Sequence, residues 1–220
     1  MTGPAVLVVS GIPGAGKSTI SAIIARRLPR SAHVEAEALQ RFIVEGSVWP
    51  DGEPHAEAMR QLRLRGRNVA LLADSFFHAG FTPIVDDVVI ASRLAELTAD
   101  LRSRPLLFVL LVPRLDIVRK RNQERPHKDV FEAWQHLDAI TRAETPRVGL
   151  WLDTSDQTAE ESAAEILDRA WQEAVIPRDL PPNLTFERTA GSPALAAAAQ
   201  RDVRPRCSDL MQIRRAEAGD

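Results

Sequence analysis

A single cysteine, Cys207, occurs among the 220 residues, which excludes a disulfide scaffold and a cysteine-ligated metal centre. Long apolar runs are missing too. The longest, residues 106–112, is stopped by Pro113, far short of the roughly 20 apolar residues that cross a bilayer. The Met-Thr-Gly-Pro start has no basic stretch, so no secretory signal is read there. Neither sign of charge dominates: Lys+Arg number 28 against Asp+Glu 30, a formal net charge of −2. That balance argues against a chain whose main work is wrapping nucleic acid or coating an anionic membrane. Lysine is rare, at positions 17, 120 and 128 only, so a lysine set in a glycine loop stands out.

What is present is ordinary for a soluble globular domain: 45% hydrophobic and 26% charged residues, on a chain long enough to bury a full core. Residues 5–10 (AVLVVS) form a short β-branched apolar run of the kind found in buried parallel strands. Further strands are expected at 33–36, 82–86, 106–112 and 149–153. Helical spacing is read at 18–28, 39–44, 55–79, 91–102, 114–124, 130–143 and 159–174. Strands alternating with helices imply βαβ units, hence a five-stranded parallel sheet with helices on both faces. The expected organisation is one domain over residues 1–176 and a proline-interrupted, mobile tail over 177–220 that contains Cys207.

Between the first strand and the first helix lies Gly11-Ile12-Pro13-Gly14-Ala15-Gly16-Lys17-Ser18, a match to G-x-x-x-x-G-K-[ST] in the strand–loop–helix context that motif requires. Glycines let the backbone bend around a phosphate and turn several N–H groups toward it. The helix that follows aims its positive end at the same phosphates. Lys17 adds a mobile charge for the β- and γ-phosphates, and the Ser18 hydroxyl is placed to ligate Mg²⁺. The backbone of Gly11, Gly14, Ala15 and Gly16 with Lys17, Ser18 and Thr19 therefore makes a nucleoside triphosphate site, and the fold class is α/β of the P-loop type.

No N-K-x-D guanine reader occurs, and the third strand ends Val85-Asp86-Asp87 rather than in the Asp-Glu of mechanical ATPases. The size suits a small-molecule kinase. Residues 5–175 resemble the small P-loop phosphotransferases that include chloramphenicol phosphotransferase, and more distantly gluconate and shikimate kinases. The resembling pieces are GIPGAGKST at 11–19, HVEAEAL at 33–39, PIVDD at 83–87, the segment 111–125 with Arg121 and Arg125, and GLWLDTS at 149–155.

The resemblance implies ATP- and Mg²⁺-dependent transfer of the γ-phosphate to a hydroxyl. It implies a catalytic base just after the second strand, at Glu37, where relatives usually carry Asp. Glu35 competes for that role, since strand alternation puts both carboxylates on one side if the strand continues. Asp86, at the end of the third strand, is the expected metal carboxylate, and Asp87 points elsewhere, toward the acceptor. Arg121 and Arg125, four apart on one helix face, are expected on a lid spanning 121–146, where they would neutralise the transferring phosphoryl group. Asp153 begins the loop that borders adenine in these kinases.

The acceptor site is expected in the insert 37–68, with Glu35, Arg41, Trp49, Arg65 and Asp87 as candidate contacts for a small hydroxylated compound. Two other readings stay open. One is a kinase of nucleosides or polynucleotide ends, with Arg60, Arg63 and Arg67 as its basic strip; the other is a nucleotide-gated binding module with slow hydrolysis. The absent targeting signal and the ATP requirement imply a cytoplasmic location.

Overall fold

The structure, a computed structural model, describes residues 3–123 and 134–178. The chain divides into two units, residues 1–185 and 186–220, and everything described lies in the first. Five strands, β1 (Val6–Ser10), β2 (Ser31–Glu35), β3 (Thr82–Asp86), β4 (Leu106–Leu111) and β5 (Leu150–Leu152), form one sheet in the order β2-β3-β1-β4-β5. Every pairing within it is parallel. The helices are α1 (Lys17–Arg27), α2 (Ala36–Gln40), α3 (His55–His78), α4 (Ser92–Asp100), α5 (Leu115–Gln123), α6 (His136–Glu144) and α7 (Ala159–Glu173).

Strand period explains the two-sided core. Leu7, Val9, Ile84, Leu107, Val109 and Leu111 point to one face and pack with Ile20 and Ile24 of α1 and Ala163 and Ile166 of α7. The alternate residues Val6, Val8, Val34, Val85, Phe108 and Leu110 point to the other and meet Val69 and Ala73 of α3 and Leu94 and Leu97 of α4. β1 lies between β3 and β4, so the chain reverses direction across the sheet beside it, and the crevice at the carboxyl end of β1 is the expected ligand position.

The second helix departs from expectation. It occupies Ala36–Gln40 rather than 39–44, because β2 stops at Glu35 and helical backbone begins at once. Phe42 and Val44, within the stretch expected to be helical, are 75% and 86% exposed and have no apolar face to bury. The strand therefore does not continue to Glu37, which sits in the first turn of α2. Residues 130–133 of the helix expected at 130–143 lie outside the described residues, as do Arg125, Cys207 and the tail beyond Arg178.

At the opposite end of the sheet, β5 pairs among the described residues only with Val109, Leu110 and Leu111 of β4. The rest of that β4 edge is covered by the chain after α7. Phe108 N donates to Ala174 O at 2.8 Å and Ile176 N to Leu106 O at 3.0 Å, with Val175 bridged antiparallel to Leu107. Ile176 is buried.

Candidate active site

The glycine loop turns as its sequence demands. Gly14 and Gly16 have φ of 88° and 99°, the left-handed region that glycine enters without strain. At Gly14 a Cβ would come within 2.5 Å of Asn122 Nδ2, so α5 presses on the loop from behind and leaves room for glycine alone. Ala15 N donates to Ile12 O at 3.1 Å, closing the turn, and Gly16 caps α1. No acidic residue lies in the first turn of α1, and Ser18 and Thr19 are exposed there. The positive end of the helix is thus available to an anion. Lys17 Nζ donates to Ile12 O at 3.3 Å, folded back over its own loop.

Asp86 ends β3 beside this loop, level with Val9 of β1 and with Glu35 of β2. Burial pushes its carboxyl pKa upward. Attraction to His33 and to Lys17 and a hydrogen bond from Ser18 outweigh that, so the group is held below the usual carboxylate range. A carboxylate and a hydroxyl converging at a helix start are hard oxygen donors of the kind Mg²⁺ takes. Among the described residues no group of three His, Cys, Asp or Glu could hold a metal ion. A divalent cation held by Ser18 and Asp86 would draw its remaining ligands from phosphate and water.

Asp87 turns away from Asp86, as alternation requires, but into the protein. It accepts from Arg65 Nη2 at 2.9 Å, Val88 N at 2.8 Å and Arg93 Nη2 at 3.5 Å. Its side chain and that of Arg65 are 4% and 6% exposed. The two residues expected to meet the acceptor separately are instead each other's partners. Arg93, which closes the network, carried no sequence signal.

Arg121 also has fixed partners. Its Nη2 donates to Thr154 O at 2.7 Å and Gln157 O at 3.4 Å, and its Nη1 to Thr154 Oγ1 at 3.4 Å and Ala15 O at 3.5 Å. The guanidinium thus joins the phosphate loop to the loop after β5; burial lowers its pKa, with Asp153 pulling the other way. Asp153 accepts from Ser155 N at 2.9 Å and from the Ser155 hydroxyl, and these bonds hold its carboxyl below the ordinary range. Arg41 is exposed at the end of α2, and Trp49 is half-buried in the insert. That insert is pinned by Gln61: its Oε1 accepts from Val48 N at 2.8 Å and its Nε2 donates to Gly46 O at 2.8 Å.

Two residues near the loop escaped the sequence reading. His33 lies between Glu35 and Asp86. Asn122 is 1% exposed, and neither of its amide atoms has a hydrogen-bond partner among the described residues.

Residues 4–171 match the chloramphenicol phosphotransferase-like protein family. The chain belongs to that family. No sequence among curated proteins matches it. Solved structures give its fold. The tunicamycin resistance protein of Deinococcus radiodurans is 18% identical with a TM-score of 0.54, over 79% of this chain and 99% of that one. The APS kinase of Mycobacterium tuberculosis, solved with AMPPNP and APS, is 18% identical with a TM-score of 0.55, over 75% and 97%. Shikimate kinase from Acinetobacter baumannii, solved with shikimate, is 21% identical with a TM-score of 0.53, over 76% and 92%. The family member thus has the fold of P-loop kinases.

Proposed function

We propose that this family member is a kinase transferring the γ-phosphate of ATP to a hydroxyl of a small molecule. The observation that carries the reading is the convergence of Lys17, Ser18 and Asp86 at one end of the sheet, with Glu35 and Glu37 at the end of the neighbouring strand. The loop backbone and the start of α1 would bind the phosphates, and Lys17 would swing from Ile12 O to the β- and γ-oxygens. Ser18 and Asp86 would hold Mg²⁺, which when bound would neutralise charge on the β- and γ-phosphates. Arg121, fixed between Ala15 and Thr154, would border the base beside Asp153. Glu37, one helical step past β2, would take the acceptor proton, while Glu35, level with Asp86, would serve the cation side. Arg41, Trp49 and the Arg65–Asp87 pair would shape the acceptor wall.

The test is ADP release with Mg²⁺-ATP against hydroxylated compounds, with oligonucleotide ends as a separate arm. Stimulation by a small molecule supports the reading. Stimulation by oligonucleotide ends would move the acceptor to nucleic acid, and none at all would leave a nucleotide-gated module. Lys17→Ala should cost on the order of 100- to 1000-fold in turnover. Glu37→Gln should lower kcat by about 100-fold, and Glu35→Gln much less.

A further inference from the structure

The phosphate-loop motif calls for a lysine, a hydroxyl and a strand-end carboxylate. It does not call for a histidine, yet one is built against that carboxylate. His33 and Glu35 share a face of β2 by strand period, and the β2–β3 register sets them beside Ile84 and Asp86. The imidazole Nδ1 lies 3.6 Å from Glu35 Oε1 and Nε2 lies 3.8 Å from Asp86 Oδ2. Nε2 is buried and makes no hydrogen bond to a described residue. The row runs from exposed to buried, with side chains 47% exposed at Glu35, 18% at His33 and 6% at Asp86. Beyond Asp86 stand Ser18 and Lys17.

We infer that His33 is a positioning residue: its Nε2 side holds Asp86 Oδ2 and so fixes the direction of the other carboxylate oxygen, while Glu35 steadies the ring. The inference rests on the reading of Asp86 as the carboxylate that faces the nucleotide's cation. A carboxylate at the end of its strand rotates about its terminal torsion with little hindrance. With Lys17 on one side only, it would swing to the ammonium; a group on the opposite side keeps it turned toward Ser18. Partners one step removed from a metal ligand commonly contribute 10- to 100-fold in metal affinity.

The experiment needs neither acceptor nor turnover. A fluorescent ADP analogue is bound to the full chain in EDTA, and Mg²⁺ is then titrated in. His33→Phe keeps the ring's shape and removes the polar edge; it should weaken Mg²⁺ binding by about 10- to 100-fold and leave nucleotide affinity in EDTA unchanged. His33→Gln places an amide N–H near the Nε2 position and should restore most of the loss. Glu35→Gln, at the exposed end of the row, should shift Mg²⁺ affinity in the same direction by less. Normal Mg²⁺ binding by His33→Phe, with Asp86→Asn impaired, would overturn the inference and leave the cation assignment standing. His33→Gln as weak as His33→Phe would overturn it as well, since shape would then be what matters. An Asp86→Asn variant with normal Mg²⁺ binding would remove the cation assignment itself and the inference with it.

Discussion

Removing the charge of Asp87 exposes what the network around it does. Two guanidinium groups, Arg65 at 2.9 Å and Arg93 at 3.5 Å, converge on this one carboxylate, whose side chain is 4% exposed. The Nε atoms of both arginines are buried without another partner. In Asp87→Asn the amide oxygen can still accept from Val88 N, but Arg65 is left buried with no counter-charge, while Arg93 keeps Glu96 at 3.7 Å. Breaking a buried pair from one side costs about 3–5 kcal/mol. At roughly 2–4 °C per kcal/mol for a chain of this size, that is a fall in Tm of about 6–20 °C. Arg65→Met should cost clearly less, because it removes a charge while Asp87 keeps Arg93 and the Val88 amide, and the methionine fills much of the arginine stem's space. Urea unfolding of both variants, with equal denaturant slopes as the check on two-state behaviour, measures the difference. An Asp87→Asn variant within about 1 kcal/mol of the parent, or Arg65→Met the more damaging of the two, would refute the reasoning.

Gly14→Ala should abolish nucleotide binding with the fold retained, since its Cβ would fall 2.5 Å from Asn122 Nδ2 at a φ of 88°; isothermal titration with ADP checks it, and wild-type affinity would contradict the loop geometry. Ala91, at the start of α4, has a φ of 50°, so Ala91→Gly should relieve strain and raise stability by up to about 1 kcal/mol in denaturant unfolding. For Asp153, the depressed folded pKa means its contribution is present above the unfolded carboxylate range and is lost as pH falls through the folded value. Asp153→Asn should therefore flatten the acid limb of a stability–pH curve while lowering stability at neutral pH, and an unchanged limb would show that the Ser155 bonds carry no net weight.

The phosphate loop was legible because its chemistry is contiguous: eight residues between a buried strand and a helix specify backbone shape and function together. Asp86 was legible by one further step, as the last residue of an apolar run. His33 was not. Its significance depends on the β2–β3 register, which sets residues more than 50 positions apart side by side. Asn122 was hidden for the same reason, since α5 delivers it to Gly14. Arg93 stands only six positions from Asp87, and the turn into α4 brings it back onto that carboxylate. Arg65 and Asp87 each stood out as charged residues near the expected acceptor wall, but pattern alone could not show them spending that charge on each other. The second helix was displaced because helical spacing was read across 39–44, whereas Phe42 and Val44 in that stretch face outward.

The short β5 and the segment that completes the β4 edge have a practical corollary. Residues 174–176 run along the amino-terminal half of β4, while the phosphate loop and Asp86 sit at the carboxyl ends of their strands. Where the described chain ends, its direction of departure is therefore anchored at the pole of the sheet remote from the nucleotide face. A fusion partner or a surface tether joined directly at Arg178 would start from that pole, provided Ile176 is kept. A linker spliced in ahead of Ala174 would strip the β4 edge and open an unpaired strand to other chains.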